Sequence, residues 1–290
     1  MKGQVEVAPF QTEHDDFLQP QALRVTFDTN TLCRVIDPDR DDAKPYRRAY
    51  QAVKGAVKSG QIRGFFSEMV VTLDAIQRKA KAEFLGASRI ASETTSSRPD
   101  HIRIAVGPRW PRIEISSQLR ARLEAALAMG MRALIGPRRF GDSIVPQGFG
   151  EGFHQHYPPG EAFVAMADAT NAADIAILRR GLGRAPVIEL AKSLSERDGA
   201  TGEWWPQALS RARSNTDRKK AKHAINEWAD GEAVAAHIGY GNDLFCTHDI
   251  GHDLRERSIL HPNNRAWLAE TYGVTFVTIA ELDTLLVRAP

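Results

Sequence analysis

The stretch "DLFCTHDIGHDL", residues 243–254, decides between two folds. As a helix, it would present His248 and Asp249 as an adjacent pair on one helical turn. As a strand that ends at Thr247, it would deliver Asp249 alone to the rim of a parallel sheet. Glycines just upstream are typical of a helix end, and the run Phe-Cys-Thr favours a strand. The sequence therefore predicts a strand that ends beside Asp249.

Strand and helix patterns alternate on both sides of that stretch. "LRVTF" alternates apolar and polar residues like a short strand. "PYRRAYQAVKGAVKSG" has helical spacing, and after the next strand Ser67 is a good N-cap for a helix. That helix would carry Met69, Leu73, Ile76 and Ala80 on one face. The predicted strands are Leu23–Phe27, Ile62–Phe66, Leu244–Thr247 and Val274–Val277. This order predicts an α/β fold, a three-layer α/β/α domain with a mainly parallel central sheet.

The alternating pattern is interrupted between residues 86 and 160. This segment contains a Ser/Thr-rich stretch that reads as a loop, the strand-like "HIRIAV", a helical pattern over 116–135 and a stretch dense in Gly and Pro. We therefore expect a single domain over 20–290 with its core at about 20–85 and 161–290. Residues 86–160 would be an insertion, as a lid or substrate flap, and residues 1–19 an N-terminal extension.

Composition limits the classes of protein that the chain can belong to. With 42% hydrophobic and 26% charged residues among 290, it is long and apolar enough to bury a full core. Two cysteines cannot form a disulfide framework, which favours a reducing, cytoplasmic setting. A membrane helix and a signal peptide are not expected. The net charge of +2 is mild, but the basic cluster "RARSNTDRKKAK" at 211–222 could meet a polyanion.

Carboxylates recur at the predicted ends of strands and on the helices beside them. Asp28 closes the first strand, and Asp249 follows the strand before the last one. Because parallel strands lie about 4.8 Å apart and end at one rim, these two acids can share a divalent ion. Asp74 and Asp230 lie on helices that face the same rim. Hard oxygen ligands point to Mg²⁺ or Mn²⁺, which can activate water for phosphodiester cleavage.

Three segments resemble the PIN-domain ribonucleases: "VTFDTN", "FFSEMVVTLDAI" and "DGEAVAAHIGYGNDLFCTHD". The resemblance covers roughly residues 23–85 and 200–285. It implies that Asp28, Asp74, Asp230 and Asp249 are catalytic and bind Mg²⁺ or Mn²⁺, and that the substrate is RNA. An antitoxin or other protein partner, and a homodimer, are further possibilities. Thr29, Asn30 and Thr247 would orient the carboxylates, water or a phosphate through hydrogen bonds.

Other acids compete for two of the four positions. Glu68 follows the predicted N-cap and could replace Asp74, although an acid there also favours the helix dipole. Asp174, in a helix of similar character, and Asp243, at the front of a motif strand, compete with Asp230.

Two alternative functions stay open at this point. His248-Asp249 resembles the metal-binding pair of HD-domain phosphohydrolases, with His223 as the upstream histidine. That site would require a helix before His248 and a helical bundle after it. The second alternative is a PIN-like scaffold that has lost catalysis and serves as a binding module.

Overall fold

The computed structural model describes residues 22–76, 80–98, 101–111, 113–137, 149–200, 202–251 and 254–288. For residues 92–98, 101–108 and 151 it describes the backbone but not the side chains. The strands are β1 (Leu23–Phe27), β2 (Ile62–Ser67), β3 (Arg89–Arg98), β4 (His101–Arg109), β5 (Arg132–Leu134), β6 (Leu244–Cys246) and β7 (Thr275–Val277). The α-helices are α1 (Thr29–Ile36), α2 (Arg47–Lys58), α3 (Lys81–Gly86), α4 (Ser117–Ala128), α5 (Glu161–Arg179), α6 (Ala185–Arg197), α7 (Trp205–Ala208), α8 (Asn215–Tyr240), α9 (Pro262–Tyr272) and α10 (Ile279–Arg288).

Five strands form one parallel sheet in the order β5-β2-β1-β6-β7. The register places Phe27 opposite both Phe66 and Cys246, so the central strands end at the same edge. The predicted parallel sheet and its four predicted strands are confirmed, with small shifts at their ends. The strand over 244–246 also rules out the helix that the alternative fold needed there.

Helices cover both faces of this sheet, as predicted for three layers. Val25 and Phe27 of β1 pack in one cluster with buried side chains of α1, α2, α4 and α10. On the opposite face, Phe65 and Phe245 pack in clusters with buried residues of α5, α8 and α9. Because each buried Phe stabilises the fold by about 1.5–3 kcal/mol, aromatic side chains on both faces hold the strands between the helical layers.

The helix predicted from Ser67 through Ala80 is wrong. Ser67 does act as an N-cap, because its Oγ accepts the Met69 N–H at 3.2 Å. Only a 3-10 helix, Glu68–Val71, follows before the chain turns. Residues 70–72 are Val-Val-Thr, and three β-branched side chains in succession lose χ1 freedom in a helix. Asp74 therefore lies in a turn, not two turns into a helix.

Part of the predicted insertion belongs to the central sheet. The helix expected over 116–135 ends at Ala128, where Gly130 adopts φ +88°, and the chain returns as β5 beside β2. The Ser/Thr-rich stretch expected as a loop forms β3, which pairs antiparallel with β4. Residues 138–148 of the Gly/Pro-dense stretch, and the extension at 1–19, lie outside the described residues.

An additional helix, α1, begins directly after Asp28, between the predicted first strand and the predicted helix that follows it. Thr31, Leu32, Val35 and Ile36 are its buried residues, at spacings that form one helical face. Asp28 consequently occupies the N-cap position of α1, and Thr29 and Asn30 form its first turn. Among the described residues, no helix combines the length and apolar character needed to cross a membrane.

Close packing of α5 against α8 requires a glycine at position 239. A Cβ there would lie 1.7 Å from Thr170 Oγ1 and 2.9 Å from the Met166 carbonyl oxygen. We expect Gly239→Ala to lower the free energy of unfolding by about 1–3 kcal/mol, measured by urea denaturation. The matched control is Gly55→Ala on the exposed side of α2, where no atom lies within 4 Å of the new Cβ. That change should stabilise by about 0.4–1 kcal/mol. Equal effects of the two substitutions would contradict the close contact.

Candidate functional site

A pocket of about 200 Å³ lies at the carboxyl edge of the sheet. All four carboxylates predicted from the sequence line it. Its described lining residues are Asp28, Thr29, Asn30, Asp74, Ile76, Lys81, His223, Asn226, Glu227, Asp230, Asp249, Gly251, Leu254 and Ser258. The acids of the pocket therefore come from the end of β1, from the turn after β2, from α8 and from the loop after β6.

Asp28 and Asp249 are held through Thr247, whose side chain is fully buried. The Thr247 hydroxyl donates to Asp28 Oδ2 at 3.2 Å and accepts the backbone N–H of Asp249 at 3.0 Å. The sheet ladder continues to this point, since the Asp28 N–H donates to the Cys246 carbonyl at 3.0 Å. Asp249 Oδ1 also accepts the Gly251 N–H at 2.7 Å. Strand pairing and one hydroxyl thus determine where both carboxylates lie.

Asp74 reaches the same pocket from the turn that replaces the predicted helix. Its Oδ2 accepts the Thr29 hydroxyl at 2.8 Å, and Lys81 Nζ lies 3.5 Å from its Oδ1. The Lys81 ammonium also donates to Asn226 Oδ1 at 2.9 Å. The bond from Thr29 to Asp74 is consistent with the prediction that Thr29 orients a carboxylate. Lys81 and Asn226 were not predicted, because a lysine in "RKAKAEF" has the pattern of an exposed helix face.

Asp230 lies on α8, where several polar residues share one face. His223, Asn226, Glu227 and Asp230 recur at intervals of three and four, and all four line the pocket. Glu227 was missed by the sequence reasoning, although the spacing in "HAINEWAD" could have revealed it. Its Oε1 accepts the N–H groups of Gly183 at 3.0 Å and Ile259 at 2.7 Å. Glu227 therefore joins two loops to α8 beneath the pocket.

The electrostatics of the pocket disfavour several negative charges at once. Burial, and then the charges of Asp74 and Asp249, raise the pKa of Asp28 from 3.8 to about 6. Burial, and then the charge of Asp28, raise the pKa of Asp230 well above its ordinary value. Burial also raises the pKa of Glu227 to about 8. Asp28 and Asp230 remain partly exposed to the pocket, but dense protein surrounds them, so water shields their repulsion poorly.

The residues of the pocket suit a hard divalent cation in chemistry and in charge. Carboxylate, amide and hydroxyl oxygens are the ligands that Mg²⁺ and Mn²⁺ prefer. Acids outnumber bases among the described lining residues. The acids are Asp28, Asp74, Glu227, Asp230 and Asp249, and the bases are Lys81 and His223. Within the described ranges, no three His, Cys, Asp or Glu side chains already stand close enough to hold one ion. Binding a cation would therefore require the carboxylates to move closer together.

The three competing acids are engaged outside this pocket. Glu68 is buried and accepts the Gly136 N–H at 2.9 Å, with His154 Nε2 at 3.4 Å. Asp174, on α5, pairs with Arg184 at 3.2 Å. Asp243 Oδ2 accepts the backbone N–H of Arg24 at 2.7 Å at the start of the sheet. Each of these acids thus has a structural partner elsewhere, whereas Asp74 and Asp230, with which they competed, line the pocket.

The residues proposed for the HD-type site are not brought together. His223 and Asp249 line the pocket, whereas His248 is not among its described lining residues. The His248 ring packs against Tyr46, with ring centroids 5.0 Å apart. Strand β6 stands where that site requires a helix.

Comparison of the chain with protein-family models, with curated proteins and with solved structures found no match. The resemblance to PIN-domain ribonucleases therefore stays a prediction.

Repulsion in the pocket predicts a pH-dependent gain in stability for Asp28→Asn. Because folding raises the pKa of Asp28 to about 6, the folded protein binds the proton more tightly than the unfolded chain does. The contribution of Asp28 to wild-type stability should therefore fall as pH rises from about 4 to about 6. In EDTA at pH 8, Asp28→Asn should be more stable by about 1–3 kcal/mol, measured by urea unfolding. This gain should shrink towards zero near pH 4.

The matched control for that experiment is Asp243→Asn, which removes a carboxylate outside the pocket and leaves an amide oxygen for the Arg24 N–H. It relieves no repulsion in the pocket, so we expect no comparable gain at pH 8. Lower stability of Asp28→Asn at pH 8 would contradict the prediction, since the bond from Thr247 would then outweigh the repulsion.

Proposed function

We propose that this protein is a PIN-like, divalent-metal-dependent ribonuclease that hydrolyses RNA phosphodiester bonds with Mg²⁺ or Mn²⁺. One observation supports this function above all. Asp28, Asp74, Asp230 and Asp249, four acids far apart in the sequence, line a single pocket at the carboxyl edge of a parallel sheet. In open α/β sheets, ligands bind at this edge. The free cysteines, Cys33 and Cys246, agree with a cytoplasmic setting.

Asp28 and Asp249 are the first candidates to hold the cation, with Asp74 and Asp230 completing the oxygen set. When bound, a divalent cation supplies Lewis-acid activation of water and neutralises charge on the leaving oxygen. The contribution of the chain is to orient the carboxylates: Thr247 hydrogen-bonds Asp28 and the backbone of Asp249, and Thr29 hydrogen-bonds Asp74. Such supporting hydrogen bonds limit the movement that each ligand needs.

Lys81 has a positioning role in this proposal. It is almost fully buried, lies near Asp74 and donates to Asn226. A cation of the protein itself thus balances part of the acidic charge while no metal ion is bound. It also links the turn that contains Asp74 to Asn226 on α8, the helix that contains Asp230.

The proposed activity predicts loss of cleavage when single carboxylates are neutralised. Asp28→Asn and Asp249→Asn preserve side-chain shape but weaken the bond to a cation, so each should lower the rate of RNA cleavage by more than about 100-fold. The assay follows a labelled RNA in Mg²⁺ and in Mn²⁺ by gel electrophoresis. Asp243→Asn is the control, because its carboxylate lies outside the pocket, and it should cleave like the wild type.

Cleavage by either pocket variant at the wild-type rate would refute this site. A wild-type protein that binds RNA but does not cleave it in either metal would instead favour the binding module.

Metal binding also predicts a readout that is independent of activity. Because a ligand that binds only the folded state stabilises it, saturating Mn²⁺ should raise the melting temperature of the wild type. At a concentration 100 times the dissociation constant, the gain is about 2.7 kcal/mol. The double variant Asp28→Asn/Asp249→Asn should show little or no shift in a thermal melt, whereas Asp243→Asn should shift like the wild type. Equal shifts for all three proteins would place the bound ion elsewhere.

A further inference from the structure

A second pocket, of about 710 Å³, adjoins the acidic one. His223 and Leu254 line both pockets, so the two lie side by side. We call the larger one the cationic groove. Its described lining residues are Pro186, Glu189, Leu190, Thr216, Lys219, Lys220, His223, Ala224, Leu254, Arg255 and Arg257.

Positive charge predominates in the cationic groove. Lys219 and Lys220 are exposed on the first turns of α8, and Arg255 and Arg257 face them from the loop after β6. Glu189, the acid in the lining, pairs with Arg257 at 2.5 Å. Arg211, another member of the basic cluster predicted at 211–222, pairs instead with Glu203 at 2.9 Å. Lys219 and Lys220 are the lysines of that cluster that line the groove.

One face of α8 connects the two pockets. Lys219, Lys220 and His223 lie on it in the first half of the helix, and Asn226, Glu227 and Asp230 follow at the same three- and four-residue spacing. From Lys219 to Asp230 the helix rises about 16 Å. The face therefore changes from basic to acidic along a path long enough for several consecutive backbone groups of an extended ligand.

We propose that the cationic groove binds the phosphate backbone of a single-stranded segment of the RNA substrate and leads it to the acidic pocket. This inference rests on the nuclease function proposed above. Carboxylates repel phosphates, so a pocket lined by acids needs cations beside it to retain a polyanion. Lysine and arginine are the side chains that contact phosphates, and arginine does so with two hydrogen bonds.

The remaining wall of the groove fits a single strand with exposed bases. Leu190 and Leu254, which are partly exposed, add apolar surface to the lining of the groove, and unpaired bases present apolar faces to such a surface. In a duplex the bases are stacked inside and offer no such face. A folded acidic protein would place charge against this apolar wall without compensation.

The test measures RNA binding without cleavage. The probe is a fluorescein-labelled single-stranded RNA of about 16 nucleotides, followed by anisotropy in EDTA over a range of KCl concentrations. Lys219→Gln/Lys220→Gln should weaken binding about 10-fold and reduce the slope of log affinity against log salt by about 1.4, which is about 0.7 for each lost phosphate contact. Arg255→Gln, on the opposite wall, should reduce the slope by about 0.7.

The matched control is Arg48→Gln/Lys58→Gln, which removes the same charge from exposed residues of α2, on the other side of the sheet from α8. It should change affinity by less than about 2-fold. Equal losses for the two double variants, or no loss for Lys219→Gln/Lys220→Gln, would overturn the proposal. Competition by polyglutamate as strong as that by RNA of equal charge would also overturn it, because the groove would then be a general polyanion surface.

Binding and cleavage separate this inference from the proposed nuclease function. A selective loss of RNA binding in Lys219→Gln/Lys220→Gln supports the groove even if the wild type cleaves no RNA in Mg²⁺ or Mn²⁺. If the wild type does cleave, the same variant should show a higher KM with little change in kcat, because Lys219 and Lys220 lie outside the acidic pocket. Cleavage with an unchanged KM would overturn the groove while leaving the nuclease intact.

Discussion

Parallel pairing of β1 with β6 places Phe27 opposite Cys246, and the next residue on each strand is therefore fixed at the carboxyl edge of the sheet. Those residues are Asp28 and Thr247, joined by a hydrogen bond of 3.2 Å. In a strand, a slip of one residue moves every side chain to the opposite face. Such a slip would take Phe27 out of its cluster with α1, α2, α4 and α10 and move Asp28 away from the edge of the sheet. The hydrophobic layers on both faces thus enforce the register, and the register aligns the acids.

The parts of the fold that could be predicted from the sequence are those with strong local patterns. The alternation in "LRVTF" and the apolar run in "DLFC" identified β1 and β6, and acids at strand ends then indicated the pocket. Strand β5 is three residues long and its partner is chosen by tertiary packing, so no local pattern marks it. Asp74 was placed in the pocket for the wrong reason, since a turn and not a helix brings it there. Lys81 was missed because its burial depends on Asn226, 145 residues later.

Several shielded acids in one pocket are a cost to stability that the rest of the protein must offset. Neighbouring carboxylates repel by several kilocalories per mole when water is excluded. A hydrogen bond such as that from Thr29 to Asp74 stabilises the folded protein by only about 0.5–1.5 kcal/mol. Larger contributions come from the buried aromatic side chains on either side of the sheet, at about 1.5–3 kcal/mol each. The apolar layers therefore offset the repulsion among the carboxylates at the edge of the sheet. Such clusters of perturbed acids are common where proteins bind ligands.

The separation of the pocket's acids along the chain has a consequence for protein synthesis. Asp28 and Thr247 are 219 residues apart, and Asp249 lies further still. N-terminal segments leave the ribosome and begin to fold first, but β1 has no β6 beside it until residues 244–246 have emerged. A nascent chain that stops before residue 230 thus contains β1, β2 and Asp74 without Asp230 or Asp249. The complete acidic pocket therefore forms during synthesis only after its distant C-terminal carboxylates have been made, well after the first half of the sheet.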